Sequence, residues 1–165
     1  MTDLMSKTAL VTGGGTGIGF GIAAKLLEAN AHVTIAGRRE DVLEEAAERL
    51  EASVSSTGNI KIVCCDVTDA IAVKNAVEVA ANDKGALDIA VANAGIGAGG
   101  PFLSMTDETL RSVLEVNVIG AFNTIQAAAE TMRSSGGSII AISSIAGALG
   151  GRFRAAYASS KAALD

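Results

Sequence analysis

The 165 residues are 49% apolar and 19% charged, with 18 Asp and Glu against 13 Lys and Arg. That balance belongs to a packed domain with a buried core and excludes a disordered tail. A net charge of −5, with no basic run longer than Arg38-Arg39, removes the electrostatic footprint of a nucleic-acid or anionic-membrane binder.

The chain opens with a short polar stretch, residues 1–7, that runs straight into an apolar segment, so no targeting sequence is expected and the predicted location is cytoplasmic. Short β-branched or apolar runs at 8–11, 33–36, 60–65, 87–91 and 138–142 predict five strands. Amphipathic stretches lie between them. After the first strand, Ile18, Ile22, Ala23 and Leu26 mark one helical face. The longest pattern places Leu110, Val113, Leu114, Asn117, Val118, Ala121, Phe122, Ile125, Ala128, Ala129 and Met132 on one face of a single helix. Strands alternating with helices predict an α/β fold, a doubly wound parallel sheet in one domain covering residues 1–165. Residues 89–106 and 134–151 lack charge, but Gly, Ser, Asn or Pro interrupts both, which predicts loops and short strands and no membrane span.

Scarce residues narrow the chemistry. His32 is the only histidine, so no multi-histidine metal site can form, and it precedes a strand with no Ser nucleophile elbow anywhere; a structural or surface role is expected. Cys64 and Cys65 are adjacent, a spacing that suits neither a disulfide framework nor a zinc knuckle, and they read as strand residues in a reducing compartment. No metal is predicted.

Thirteen of the 19 glycines follow the first, fourth and fifth predicted strands. Ligands of open α/β sheets bind outside the carboxyl ends of the strands where their order reverses, and glycine lets backbone approach a ligand there. The turn at 12–19 (Thr-Gly-Gly-Gly-Thr-Gly-Ile-Gly) lies between a strand and a helix, where backbone N–H groups and the positive helix end suit a pyrophosphate. No Lys follows the glycines, which excludes a nucleotide-hydrolysing P-loop. At the end of the second strand, where an NAD site carries a carboxylate for the ribose 2′-hydroxyl, stand Arg38 and Arg39. Two readings apply: guanidinium recognition of a 2′-phosphate, which favours NADP(H) over NAD(H), or solvated helix-start residues paired with Glu40, Asp41 or Glu44.

Tyr157 is the only tyrosine, and Lys161 follows at the four-residue spacing that stacks two side chains on one helical face. An ammonium there favours a phenolate, as acid/base catalysis needs, although a Tyr packed on a Lys stem satisfies the same spacing. Ser143 and Ser144 follow the fifth strand at the crevice edge. Asn117 interrupts the apolar stripe of the long helix, either as a functional amide or as an internally satisfied core residue.

Taken together, the turn at 12–19, Asp66 ending the third strand, Asn93-Ala94-Gly95 after the fourth, Asn117, Ser144 and Tyr157-x-x-x-Lys161 resemble, in order, the short-chain dehydrogenase/reductase family in its Rossmann-type branch. Ala92 stands where that family often has a second Asn. The resemblance implies that Tyr157 is the proton donor or acceptor, that Ser144 holds the substrate oxygen, that Lys161 assists Tyr157 and binds the nicotinamide ribose, and that Asn117 holds a water in a proton relay. Ser144 is preferred to Ser143 because its distance to Tyr157 resembles the family spacing. It further implies a cofactor site made by Gly13, Thr16, Gly17, Ile18 and Gly19 at the pyrophosphate, Arg38 and Arg39 at the 2′ position, Asp66 and Val67 at adenine, and Asn93, Ala94 and Gly95 along the adjoining ribose.

The chemistry implied is hydride transfer between NADP(H) and a small-molecule carbonyl or secondary alcohol, in a homo-oligomer. Gly97 to Leu103 and Ala148 to Arg154 fall on the substrate side. Family members continue well beyond Lys161, whereas the chain ends at Asp165, which leads us to expect a piece of a longer protein. The alternative function is a catalytically silent dinucleotide-binding module.

Overall fold

Strand β1 (Thr8–Thr12) buries all five of its side chains, as an apolar run does at the centre of a sheet covered on both faces. The computed structural model describes residues 3–54, 58–81 and 85–165; Met1 and Thr2, the start of the polar N-terminal stretch, lie outside them. Strands β2 (His32–Gly37), β3 (Ile60–Cys64), β4 (Ile89–Ala92) and β5 (Ser138–Ala141) pair in parallel around β1 in the order β3-β2-β1-β4-β5. This is the predicted doubly wound sheet, with its switch point between β1 and β4.

Each strand differs from expectation by one or two residues at one end or both, and two of these differences have identifiable reasons. β4 begins at Ile89 because the Asp88 carboxylate is occupied by the Thr8 N–H, the Thr8 hydroxyl and the Lys7 ammonium. β3 ends at Cys64 because Asp66 folds back, accepting both the backbone N–H and the hydroxyl of Thr68.

Alternation along β1 sends Ala9 and Val11 to one face and Leu10 to the other. Helices α1 (Gly17–Glu28) and α2 (Glu40–Ser53) cover the first face with Ala23, Leu27, Leu43 and Leu50. Helix α3 (Ala70–Ala81) covers the second with Val73 and Val77, joined by Ala128 and Met132 of α5 (Gly120–Met132). The buried stripe of α1 is Gly19, Ala23 and Leu27; Ile18, expected on that face, is 66% exposed.

The long helix departs from expectation in a way that matters for the site. It is built as α4 (Asp107–Leu114), a π turn (Glu115–Ile119) and α5, with helical backbone at both joints. The Gly120 N–H reaches back five residues to the Glu115 carbonyl. Of the expected stripe, Val113, Asn117, Ala121, Ala128 and Met132 are buried, and beyond the extra residue Thr124 joins them while Phe122 and Ala129 are exposed. Beyond β5, the short helix α6 (Ile145–Leu149) and α7 (Ala155–Ala162) pack on each other, and α7 also contacts α4 and the π turn. Among the described residues, no helix is long and apolar enough to cross a membrane.

Candidate active site

The segments that follow β1, β2 and β4 converge on one cavity at the switch point. Gly13, Gly15 and Thr16 line it from the first turn, Gly37, Arg38 and Arg39 from the second, and Gly95 and Ile96 from the fourth. Val42 and Leu43 of α2 and Val116 of the π turn close its walls. The first turn is shaped by close approach: Gly13 has φ +65°, and a Cβ on Gly19 would overlap the Gly13 carbonyl oxygen. Thr16 makes no side-chain cap on α1, and the first turn of that helix carries no acid, so its N-terminal N–H groups face outward without a protein counter-charge.

Two buried or half-buried side chains brace this turn against β4. The Thr12 hydroxyl donates to the Val91 carbonyl at 3.3 Å and accepts the N–H groups of Asn93 and Ala94 at 3.1 and 3.2 Å. Asn93 Nδ2 donates to the carbonyls of Thr12 and Gly13 at 2.9 and 3.2 Å. Asn93 and Ala94 are therefore committed to holding the turn in shape.

Arg38 and Arg39 are exposed, and among the described residues no carboxylate lies within ion-pair distance of either, so the paired arrangement with Glu40, Asp41 or Glu44 is not what the structure has. Asp66 lies near enough to feel Arg38. The Thr68 N–H above all, then the Thr68 hydroxyl and the Arg38 charge, hold its carboxyl below the usual range against partial burial. Val67 buries its side chain in the core, where it meets Gly120, so only its backbone is available to a ligand. Gly17, Ile18, Gly19, Asp66, Val67, Asn93 and Ala94, also expected at the cofactor, are not among the residues that line this cavity.

The second group of predicted residues gathers behind Gly95. Lys161, 4% exposed, donates from Nζ to the Ile142 carbonyl at 2.6 Å, and its Nζ stands 5.9 Å from the centroid of the Tyr157 ring. Burial lowers its pKa from the ordinary 10.5. A Cβ on Gly95 would sit 3.7 Å from this Nζ and 3.2 Å from Asn117 Oδ1, and one on Gly97 would lie 4.0 Å from Tyr157 Cδ2. The residue 95–99 segment thus passes in front of Lys161 and then Tyr157.

Asn117 is fully buried in the π turn, a bulge that recurs at functional sites. Its Oδ1 accepts the Ile96 N–H at 2.7 Å, and its Nδ2 donates to the Ile96 carbonyl and to Ser160 Oγ, both at 2.9 Å. Both amide hydrogens are spent on protein partners, so this side chain has no hydrogen left to donate. Ser160 in turn donates to the Tyr157 carbonyl at 2.7 Å, tying the clamp to α7.

The two serines after β5 are distinguished by their partners. Ser143 Oγ donates to the Lys161 carbonyl at 3.1 Å and fastens the strand end to α7. Ser144 Oγ accepts the Ala146 N–H at 3.2 Å as the N-cap of α6 and keeps its own proton to donate. His32 sits at the opposite end of β2 from Arg38, accepting the Asn59 N–H at 3.3 Å. Among the described residues, no three His, Cys, Asp or Glu side chains are placed to hold a metal ion.

Sequence reading placed Thr12 and Gly15 in the glycine turn without giving them a role of their own, and overlooked Ile96 and Ser160 as site-building residues, together with Gly37, Val42, Leu43 and Val116 in the cavity wall. Thr12 and Ser160 directly adjoin Gly13 and Lys161, a proximity that was legible. The apolar wall residues carry no local signal that separates them from core.

Comparison with known proteins agrees with this geometry. The family model described as short chain dehydrogenase matches residues 7–165. An oxidoreductase of Sarocladium schorii is 38% identical over 163 residues, covering 98% of this chain and 63% of its own length. The L-2,3-butanediol dehydrogenase of Corynebacterium glutamicum is 37% identical over 162 residues, covering 97% and 62%. Among solved structures, a short-chain type dehydrogenase/reductase from Mycobacterium ulcerans superimposes with a TM-score of 0.94 at 37% identity, over 99% of this chain and 60% of that one. An NAD+-bound xylitol dehydrogenase superimposes with a TM-score of 0.90 at 31% identity, covering 98% and 62%. The chain therefore spans somewhat under two thirds of the length of these relatives. With the matched family model, these similarities and a shared switch-point architecture, the chain belongs to the short-chain dehydrogenase family.

Proposed function

We propose that the protein is an oxidoreductase that interconverts a carbonyl compound and a secondary alcohol with NADP(H), using Tyr157 as the acid/base. The observation that carries this reading is the run of residues 95–99, which joins the arginine-rimmed cavity to a second cavity containing Tyr157 and passes in front of Lys161 on the way. The first cavity fits a dinucleotide phosphate: a glycine turn with no room for a Cβ at Gly19, an uncapped helix end, and two arginines without carboxylate partners among the described residues. Gly13, Thr16 and the α1 N-terminus would hold the pyrophosphate, Arg38 and Arg39 the 2′-phosphate, and Lys161 the ribose next to the reacting ring. When bound, the nicotinamide supplies or accepts the hydride at the substrate carbon.

In the reductive direction the Tyr157 hydroxyl donates its proton to the substrate oxygen, which the Ser144 hydroxyl also holds. The phenolate left behind faces the Lys161 ammonium, whose buried charge has the Ile142 carbonyl and the Tyr157 ring as neighbours. Asn117 acts as a positioning residue by fixing Ile96, and with it Gly95, against Lys161. Relatives named as dehydrogenases of butanediol and xylitol support an alcohol or carbonyl substrate. We further take the protein to be a single domain, cytoplasmic with two free thiols, and homo-oligomeric through exposed apolar residues such as Ile119 and Phe122.

The decisive experiment is Tyr157→Phe. Turnover should fall about 10²- to 10⁴-fold while NADPH affinity is retained. Unchanged turnover would leave a dinucleotide-binding module without Tyr157 chemistry.

A further inference from the structure

The cavity beside Tyr157 is walled by Gly97, Ala98 and Gly99 on one side and by Arg154 on the other. Glycine and alanine contribute no hydrogen-bonding side chains, so Arg154 carries the only charge among the described residues that line this cavity. From residue 131 to residue 164 the chain has no Asp or Glu; its charged residues are Arg133, Arg152, Arg154 and Lys161. Residues 89–106, which supply the facing wall, carry no charge at all. Among the described residues, no carboxylate lies within ion-pair distance of Arg154. A guanidinium without an internal counter-ion, at the mouth of a catalytic cleft, is available to an anionic ligand.

The backbone that carries Arg154 is held in an unfavourable shape. Phe153, a bulky residue, has φ +61°, and Gly150 precedes it at φ +67°. Two hydrogen bonds hold the loop there: Gly100 N–H donates to the Phe153 carbonyl at 3.0 Å and Arg154 N–H to the Gly151 carbonyl at 3.3 Å. The first of these ties the Arg154 loop to the opposite wall of the cavity. Arg152, by contrast, lies over the Phe153 ring, 5.2 Å from its centroid, and is absent from the cavity wall.

We infer that Arg154 recognises a carboxylate on the substrate, so that the compound reduced or oxidised at Tyr157 is an oxo- or hydroxy-carboxylic acid. The inference rests on the oxidoreductase reading above and adds to it the charge of the substrate. A carboxylate fits better than a phosphate because one planar fork satisfies it and no second cation lines the cavity.

The test uses keto-carboxylic acids, methyl ketones whose carbonyl stands at increasing distance from the carboxylate, each beside its methyl ester. Two readouts are taken: NADPH oxidation, and binding to the NADPH complex followed by nicotinamide emission. The expected result is a preference of about ten-fold or more for the acid over the ester at one chain length at least. Arg154→Gln should abolish that preference, and Arg152→Gln should keep it. Equal use of acid and ester, or a preference that survives Arg154→Gln, overturns the carboxylate assignment while leaving the oxidoreductase reading intact. Binding of an acid that Arg154→Gln removes, without NADPH oxidation, upholds the carboxylate site and counts against that reading. Failure of every acid both to bind and to react overturns the inference.

Discussion

Asn117 and Ile96 exchange two hydrogen bonds, Ile96 N–H to Oδ1 at 2.7 Å and Nδ2 to the Ile96 carbonyl at 2.9 Å, so that one buried amide pairs with a peptide as a neighbouring strand would. The segment leaving β4 has no strand beside it at this point, and the π turn presents the amide that replaces one. Replacing Asn117 by Ala leaves both groups of Ile96 unpaired, at about 1–3 kcal/mol each. Chemical denaturation should report a loss of that order. Hydrogen exchange at the Ile96 amide should accelerate by more than it does in β1, and equal acceleration throughout would mean that the pairing is not local.

Arg38 separates the two nicotinamide cofactors. Arg38→Asp removes a guanidinium at the rim of the first cavity and adds a carboxylate that accepts from a ribose 2′-hydroxyl. Affinity for NADPH should fall about 10- to 100-fold and that for NADH should hold or improve. Titration by nicotinamide emission reads this directly, since the chain has no Trp. Equal losses for both would assign the selectivity elsewhere.

Gly147 lets α6 lie against α7. A Cβ there would stand 2.8 Å from the Ala162 nitrogen and 2.9 Å from the Lys161 carbonyl carbon, both backbone atoms that cannot rotate away. Gly147→Ala should cost about 1–3 kcal/mol by overpacking and shift α6 together with its N-cap Ser144 relative to α7. Thermal unfolding and turnover should therefore fall together, and a variant with normal stability and activity would show that the two helices can part without consequence.

Burial of Lys161 links stability to pH with a definite sign. The unfolded chain keeps this proton up to the ordinary 10.5, and the folded protein releases it earlier. Between the lowered value and 10.5 the unfolded state binds more protons, so the stability associated with this group rises with pH in that window and is level below it. Any stability advantage of Lys161→Met over the parent should consequently shrink as pH rises toward 10.5. A difference that is constant with pH would show that Lys161 titrates normally.

The adjacent thiols should differ in reactivity. Cys64 is exposed, whereas burial above all, with Asp66, Asp69 and Cys64 adding, pushes the Cys65 thiol up to about 11. One equivalent of a disulfide reagent should be consumed by the folded protein and two after unfolding. Two fast equivalents in the folded state would place Cys65 at the surface.

Strands, the glycine turn and the Tyr157–Lys161 face were legible in the sequence because each depends on contacts within a few residues: side-chain alternation, backbone freedom at glycine, and the helical repeat of 3.6. The doubly wound order followed, since alternating strands and helices leave few other ways to cover a parallel sheet. Partner choice was decided only by tertiary structure. Ser143 and Ser144 are chemically identical in the sequence, and only the position of the Lys161 carbonyl commits one of them to α7. Asn117 could have met water or protein; the π turn aimed it at Ile96 and moved Phe122 from the expected buried face to the surface. Ile96, Val42 and Val116 became cavity wall because β1 and β4 are neighbours in space, although the residues that pair between them are about 80 positions apart in the chain. Local periodicity constrains which elements form, whereas the identity of the group facing a buried donor or an open cavity is set by contacts between distant segments, which no pattern within one segment encodes.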